Sequence, residues 1–181
     1  MSGAVRQSQA LLAKYVRMAL DHGATEAKVI PARFIVTAEW VRLKCQFGCS
    51  GYNKRLCCPP YSPTPQKTRQ VISEYQQAII YAYPGSEDQR ERQRMSRLLV
   101  AIERQAFLDG YYKALGLGAG PCRFCVRCDT SRRCRFPELA RPSLEACGVD
   151  VYATCRNAGI ELRVVRNRQE VPKYVSVVLV E

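Results

Sequence analysis

The 181 residues predict a single α/β or α+β domain: a mixed sheet of about four strands, flanked by helices, with Cys-rich loops at one end. Three observations predict it. Helix-period and strand-like apolar segments interleave along the chain, with no linker and no internal repeat between them. The composition, 47% apolar and 24% charged, is that of a globular chain rather than a disordered one. Ten cysteines gather mainly in two stretches without any period, residues 45–65 and 116–148.

The elements follow in order. Residues 5–21 carry Leu11, Leu12, Tyr15, Val16, Met18, Ala19 and Leu20 at helical spacing, and His22-Gly23 closes that helix. Residues 27–30 form a short apolar strand that stops at Pro31. Residues 34–37 and 40–43 are further apolar segments leading to Cys45. The stretch 45–65 is rich in Cys, Gly and Pro, and loops of that length in compact domains usually hold a ligand. Thr64 followed by Pro65 is an N-cap with proline at the first helical position, so a helix runs on to about Tyr75. Residues 78–83 are a β-prone run ended by Pro84-Gly85. Residues 87–115 read as one long helix with a stripe of Met95, Leu98, Leu99, Ile102, Ala106 and Leu108, Gly110 being a candidate end or kink. The glycine stretch 116–120 has the wrong spacing for a dinucleotide fingerprint and no predicted strand before it, so its small residues instead let backbone N–H groups approach sulfur. Residues 149–157 form a helix ending at Gly159. Residues 162–165 and 174–180 are strand candidates, the last strongly apolar.

The first ten residues have no basic segment leading into an apolar run, so they do not read as a secretory signal, and no run reaches the roughly 18 apolar residues of a membrane span. A cytoplasmic location without membrane association is the expectation, and in a reducing cytosol clustered cysteines are metal ligands more often than disulfides. The formal charge of +12 invites a nucleic-acid reading. A basic surface discriminates poorly, however, and ligating cysteines are thiolates that the count treats as neutral.

The sharper cysteine group is Cys122-Arg-Phe-Cys125-Val-Arg-Cys128, then Cys134-Arg-Phe-Pro. Successive C-x-x-C steps suit a cubane iron–sulfur cluster, because each turn of the loop delivers a thiolate to a different iron. A structural zinc site, which usually draws its thiolates from two separated knuckles, is the alternative. Two cubanes, each about −2 with its thiolates, would bring the holo-protein to roughly +8. Arg123, Arg127, Arg132, Arg133 and Arg135 lie beside these ligands. The other group is Cys45-x-x-x-Cys49 with Cys57-Cys58-Pro59-Pro60. It reads as a second cluster site, as a zinc site completed by Cys147, or as thiols left unliganded in a Pro-rich loop.

The string from Leu115 through Cys122, Cys125 and Cys128, the stretch from Cys134 through Arg141-Pro142-Ser143, and Glu145-Ala-Cys147-Gly-Val-Asp150 resemble a prokaryotic family of predicted metal-binding proteins titled domain of unknown function 2284. Lys44-Cys45-Gln-Phe-Gly-Cys49 and Cys58-Pro59-Pro60-Tyr61-Ser-Pro63 resemble it too, and the likeness covers nearly the whole chain. The resemblance implies metal binding and assigns the ligands to Cys45, Cys49, Cys58, Cys122, Cys125, Cys128, Cys134 and Cys147, leaving Cys57 and Cys155 outside. The simplest division of those eight places Cys122, Cys125, Cys128 and Cys134 on one cubane and Cys45, Cys49 and Cys58 on the other, with Cys147 as a candidate fourth ligand. An exchange of Cys134 and Cys147 is the rival, since the last cysteine of a two-cluster ferredoxin run ligates the other cluster.

Three functions follow. The leading one is a redox protein with two [4Fe-4S] clusters that pass electrons to a partner protein. The second is an enzyme, of oxidoreductase or lyase/desulfidase type, in which a cluster held by only three thiols acts as a Lewis acid on a small anionic substrate. The third is a zinc-stabilised nucleic-acid binder, with nucleic acid the least expected partner. His22 is the sole histidine, which excludes multi-histidine metal sites, and no P-loop or Ser–His–Asp set is present. Glu138, Glu145 and Asp150 flank the cysteines as candidate proton relays or arginine partners. Tyr52 and Tyr61 line or shield an opening near the first group. Tyr111, Tyr112 and Cys155 read as packing residues, and Cys57 as a packing residue or as a neighbouring thiol that exchanges into a damaged cluster.

Overall fold

The structure, a computed structural model, describes residues 3–167 and 169–181. The described elements are helices α1 (Gly3–Asp21), α2 (Glu39–Gly48), α3 (Pro65–Ile72), α4 (Gln89–Leu108) and α5 (Val151–Ala158), and strands β1 (Glu26–Pro31), β2 (Gln77–Pro84), β3 (Leu115–Leu117) and β4 (Lys173–Leu179). Two short 3-10 helices, Ala32–Phe34 and Glu145–Cys147, complete them.

The strands form one sheet in the order β1-β2-β4-β3. Every pairing is antiparallel, with Ile79 opposite Val29 and Val178, and Leu117 opposite Val177. The sheet has the expected four strands, but its pairing is uniform rather than mixed, so the fold is α+β. β2 and β4 are central and buried on both faces, which is why each reads as a continuous apolar run instead of an alternating one. On one face Ile79, Tyr81 and Val178 pack against Leu12, Tyr15 and Ala19 of α1 and Leu98, Leu99 and Ile102 of α4. On the other face Ala78, Ile80, Val177 and Leu179 pack against Ile72, Leu144, Cys147, Val149 and Cys155.

Local signals set the helix ends. Asp88 caps α4 by accepting from Arg90 N at 2.8 Å, and Asp150 caps α5 by accepting from Ala153 N at 2.9 Å. α4 stops at Leu108 rather than about Leu115. The chain turns through Gly110 at φ +104°, a conformation open to glycine at little cost, and then enters β3. That strand replaces the predicted helix end. At Gly116 an added Cβ would lie 2.9 Å from both Glu103 Oε2 and Leu99 Cγ, so α4 packs directly on the strand backbone.

Two further expectations are corrected. Cys45 lies on helix α2 rather than in a loop, and Cys49, its C-cap residue, donates its N–H to Cys45 O. Residues 162–165 are not a strand. Val164 and Val165 are 66% and 42% exposed, and Leu162, Arg163 and Val165 line a cavity instead of joining the sheet.

Candidate metal centre

The chain leaves β3 opposite Val177 of β4 and makes an irregular excursion, with no helix or strand between Gly118 and Ser143. The neck of this loop is closed by backbone bonds. Gly118 N donates to Pro142 O and Leu144 N donates to Gly118 O, both at 2.9 Å. Below the neck, Arg141 forms a two-pronged ion pair with Glu103 of α4, Nη2–Oε1 at 2.5 Å and Nε–Oε2 at 2.8 Å, while Gly116 N donates to the same Oε2 at 2.6 Å. Gln93 Nε2 donates to Arg123 O at 2.9 Å, and Arg97 lies 5.4 Å from the centre of the Phe124 ring. Thus α4 grips both sides of the excursion.

Inside the loop, Cys122, Cys125, Cys128 and Cys134 line one small cavity, together with Phe124 and Phe136. A fifth thiol, that of Cys57, lines the same cavity, as do Arg55 and Leu56. Hydrogen bonding from the Cys57 thiol, set against burial and aided by the Phe124 N–H and the Arg55 charge, lowers the Cys122 pKa to about 6. The same contact, then burial and the neighbouring sulfurs, pushes Cys57 up. Arg55 Nη1 reaches Cys125 O at 3.4 Å and is the arginine at the cavity wall. Arg127, Arg132, Arg133 and Arg135 are exposed, and Arg132 pairs with Asp129. Arg123 turns the other way, into a second cavity of about 310 Å³ beside α4, with its Nε buried and unpartnered.

Cys45, Cys49 and Cys58 share a third cavity, of about 470 Å³, with Trp40, Lys44, Tyr52, Glu145 and Tyr152. The i, i+4 spacing of Cys45 and Cys49 puts both sulfurs on one side of the α2 terminus. Gly51 N points at Cys49 Sγ at 3.4 Å, and the Cys45 thiol points at Glu145 O at 3.8 Å. Burial, then the Cys49 charge, raises Cys45, and burial pushes Cys58 up to about 11. The Glu145 side chain is exposed and lines the cavity.

A polar knot assembles this wall. Arg42 Nη1 donates to Ala146 O at 2.8 Å, to Ser62 Oγ at 2.9 Å and to Pro63 O at 3.1 Å, and Ser62 Oγ donates to Ala146 O at 2.6 Å. It ties α2 with Cys45, the turn after Cys58, and the 3-10 helix of Glu145.

The remaining cysteines sit elsewhere. Cys147 is fully buried in the sheet core, and the buried Thr68 hydroxyl has no hydrogen-bond partner among the described residues. Burial pushes the Cys147 pKa up to about 12. Cys147 lines neither thiol cavity. Cys155 is a core residue, as read from sequence. His22 Nδ1 bonds to Met18 O at the end of α1, a local closing contact. Tyr111 is packed against Tyr15, Tyr112 is 77% exposed, and Asp150 is spent on its cap.

Cys57, Arg55, Arg42 and the Glu103–Arg141 pair were not among the sequence candidates. Only Cys57 carried a signal, its adjacency to Cys58. The others depend on contacts across the fold.

Sulfur donors against apolar walls, with N–H groups and one arginine turned toward them, fit a thiolate-bound metal group in chemistry. In size, the loop cavity is only about 10 Å³, room for one water-sized body, so a cluster would spread the loop thiols outward. Among the described residues no group of three or more His, Cys, Asp or Glu is already set to hold a metal ion.

Two adjoining sets of cysteines, one on an irregular loop and one at the end of a helix, are the mark of a thiolate metal-binding protein. The chain belongs to the family of predicted metal-binding proteins DUF2284, whose pattern matches residues 28–180. No curated protein and no solved structure matches it. Among the described residues no helix is long and apolar enough to cross a membrane.

Proposed function

We propose that this protein is a cytoplasmic iron–sulfur redox protein with two [4Fe-4S] centres, one closed and one open to a ligand. The closed centre takes its thiolates from the loop Cys122, Cys125, Cys128 and Cys134. The open centre takes them from Cys45, Cys49 and Cys58. Such clusters supply one-electron transfer and, where an iron lacks a protein ligand, a Lewis-acid position.

The observation that carries this reading is the difference in surroundings. Three thiols line a cavity of about 470 Å³, a size that suits a small organic ligand, while Cys147 stays in the core. The residues around the cavity supply the rest. Trp40, Tyr52 and Tyr152 offer flat apolar contact, Lys44 offers a positive charge, and Glu145 places a carboxyl near the thiols. A small anionic substrate with an apolar part fits this lining, and an oxidoreductase or lyase/desulfidase-type reaction fits the pairing of an open centre with an electron-storing one. The loop tip, with Val126 96% exposed among arginines, offers an acidic redox partner a docking point.

The test is anaerobic purification with iron and acid-labile sulfide analysis, then EPR before and after dithionite. Two interacting reduced signals support the reading. A colourless protein with stoichiometric zinc and no sulfide, even after anaerobic reconstitution, overturns it in favour of a structural zinc protein. Cys147→Ser separates the open centre from a saturated one: iron and both signals are retained if the cavity centre has three thiols, and one signal is lost if Cys147 is its fourth ligand.

A further inference from the structure

Cys57 and Cys58 are consecutive, yet they line different cavities. Cys58 joins Cys45 and Cys49, whereas Cys57 joins Cys122, Cys125, Cys128 and Cys134. The turn that separates them is held by its own backbone. Cys58 N donates to Arg55 O at 2.9 Å, and Asn53 N donates to Pro59 O at 2.8 Å. The two side chains therefore diverge from a fixed turn, one to each thiol group.

Cys57 does not have the surroundings of a packing cysteine. Cys147 and Cys155 lie fully buried among aliphatic side chains. Cys57 is only partly buried and lines the same small cavity as Cys122, Cys125, Cys128 and Cys134. A small apolar residue would fill such a position equally well, and a sulfur among four other sulfurs has a ligand's chemistry.

We propose that Cys57 is a ligand of the loop centre, so that a single peptide link, Cys57–Cys58, joins ligands of the two centres. The inference rests on the iron–sulfur reading above and changes its ligand set: five thiols surround the loop cavity, a cubane takes four, and the spare is one of the loop cysteines. The shared dipeptide gives electrons a short covalent path between the closed and open centres. It also makes loading of one centre sensitive to the other, because a shift of the turn moves both sulfurs.

The experiment compares Ser variants at Cys57, Cys122, Cys125, Cys128 and Cys134, plus Cys57→Ala, each purified anaerobically. Iron, sulfide and EPR are measured, with far-UV circular dichroism to confirm the fold. Expected results are that Cys57→Ser and Cys57→Ala both lose or alter the loop-centre signal with the fold intact, and that one of the loop variants leaves it unchanged. The proposal is overturned if both Cys57 variants match wild type. It is also overturned if Cys57→Ser matches wild type while Cys57→Ala does not, which would make Cys57 a hydrogen-bond donor to Cys122. Absence of sulfide from the wild-type protein is a different failure, since it removes the iron–sulfur reading itself.

Discussion

The two thiol groups are neighbours, but they are held in different ways. The loop group sits on irregular backbone, pinched at Gly118 and Ser143 and gripped by side chains of α4. Its cavity is small and closed by Phe124 and Phe136. The other group stands on the end of a helix, fixed by the Arg42 knot, and looks into a cavity large enough for an organic molecule. A closed site of low polarity limits access of water and suits storage of an electron. An open one lined by a carboxyl group and a lysine cation suits binding. The contrast shows how one short chain can present the same donor chemistry twice for different ends.

The sharpest way to break the comparison is at Glu103. Glu103→Ala leaves Arg141 largely buried without its partner and Gly116 N–H without its acceptor. It is expected to cost about 3 kcal/mol in denaturant unfolding and, on the proposed iron–sulfur reading, to deplete iron from the loop group before the cavity group. Retention of the loop signal at full stability would remove α4 as the loop's anchor. Next comes Arg42→Ala, which frees the Ala146 carbonyl and the Ser62 hydroxyl of their charged partner. A loss of about 2 kcal/mol is expected, this time with the cavity centre depleted and the loop EPR signal kept. Equal depletion of both centres by either variant would mean that the two groups are one mechanical unit.

The smallest expected effect belongs to a site that serves neither centre. Burial would push Asp109 up, but hydrogen bonds from Lys14, Tyr15 and Gln105 outweigh it and hold the carboxyl below its ordinary range. A carboxylate with a lowered folded pKa adds stability above its unfolded pKa and loses it as pH falls through the folded one. Asp109→Asn should therefore lower stability by about 1 kcal/mol at neutral pH, with the gap from wild type closing in acid below the ordinary carboxylate range. Thermal unfolding from neutral pH down to strong acid measures this, and both metal signals should remain as in wild type.

Much of this architecture was legible because its signals are local. Thr64-Pro65 starts α3, and its Oγ1 accepts from Lys67 N as the cap reading requires. The Leu12–Tyr15–Ala19 stripe of α1 and the continuous apolar runs of β2 and β4 were also readable. β3 was missed because three residues, one a glycine, are too few to show alternation. α2 was missed because Ala38 offers no side-chain cap and its exposed positions include Trp40, Leu43 and Phe47, which blur the amphipathic pattern. Residues 162–165 misled for the opposite reason: an apolar run that lines a cavity looks like a strand. At the site, the residue types and the two groupings were visible. The Arg42–Ala146 contact spans a separation of 104 in sequence, and the convergence of Cys57 on Cys122 likewise depends on how distant segments fold together, which no motif encodes.

The pinch between Gly118 and Pro142–Leu144 has a consequence for how such a chain can change over time. Backbone atoms alone make that closure, so the side chains beyond it are released from any duty to the sheet. Insertions or deletions at residues 129–133, between Cys128 and Cys134, would lengthen or trim the lobe while the register of β3 on β4 stays in place. The lobe is thus a module set on a hinge of peptide groups, with room for new surface around the same sulfurs.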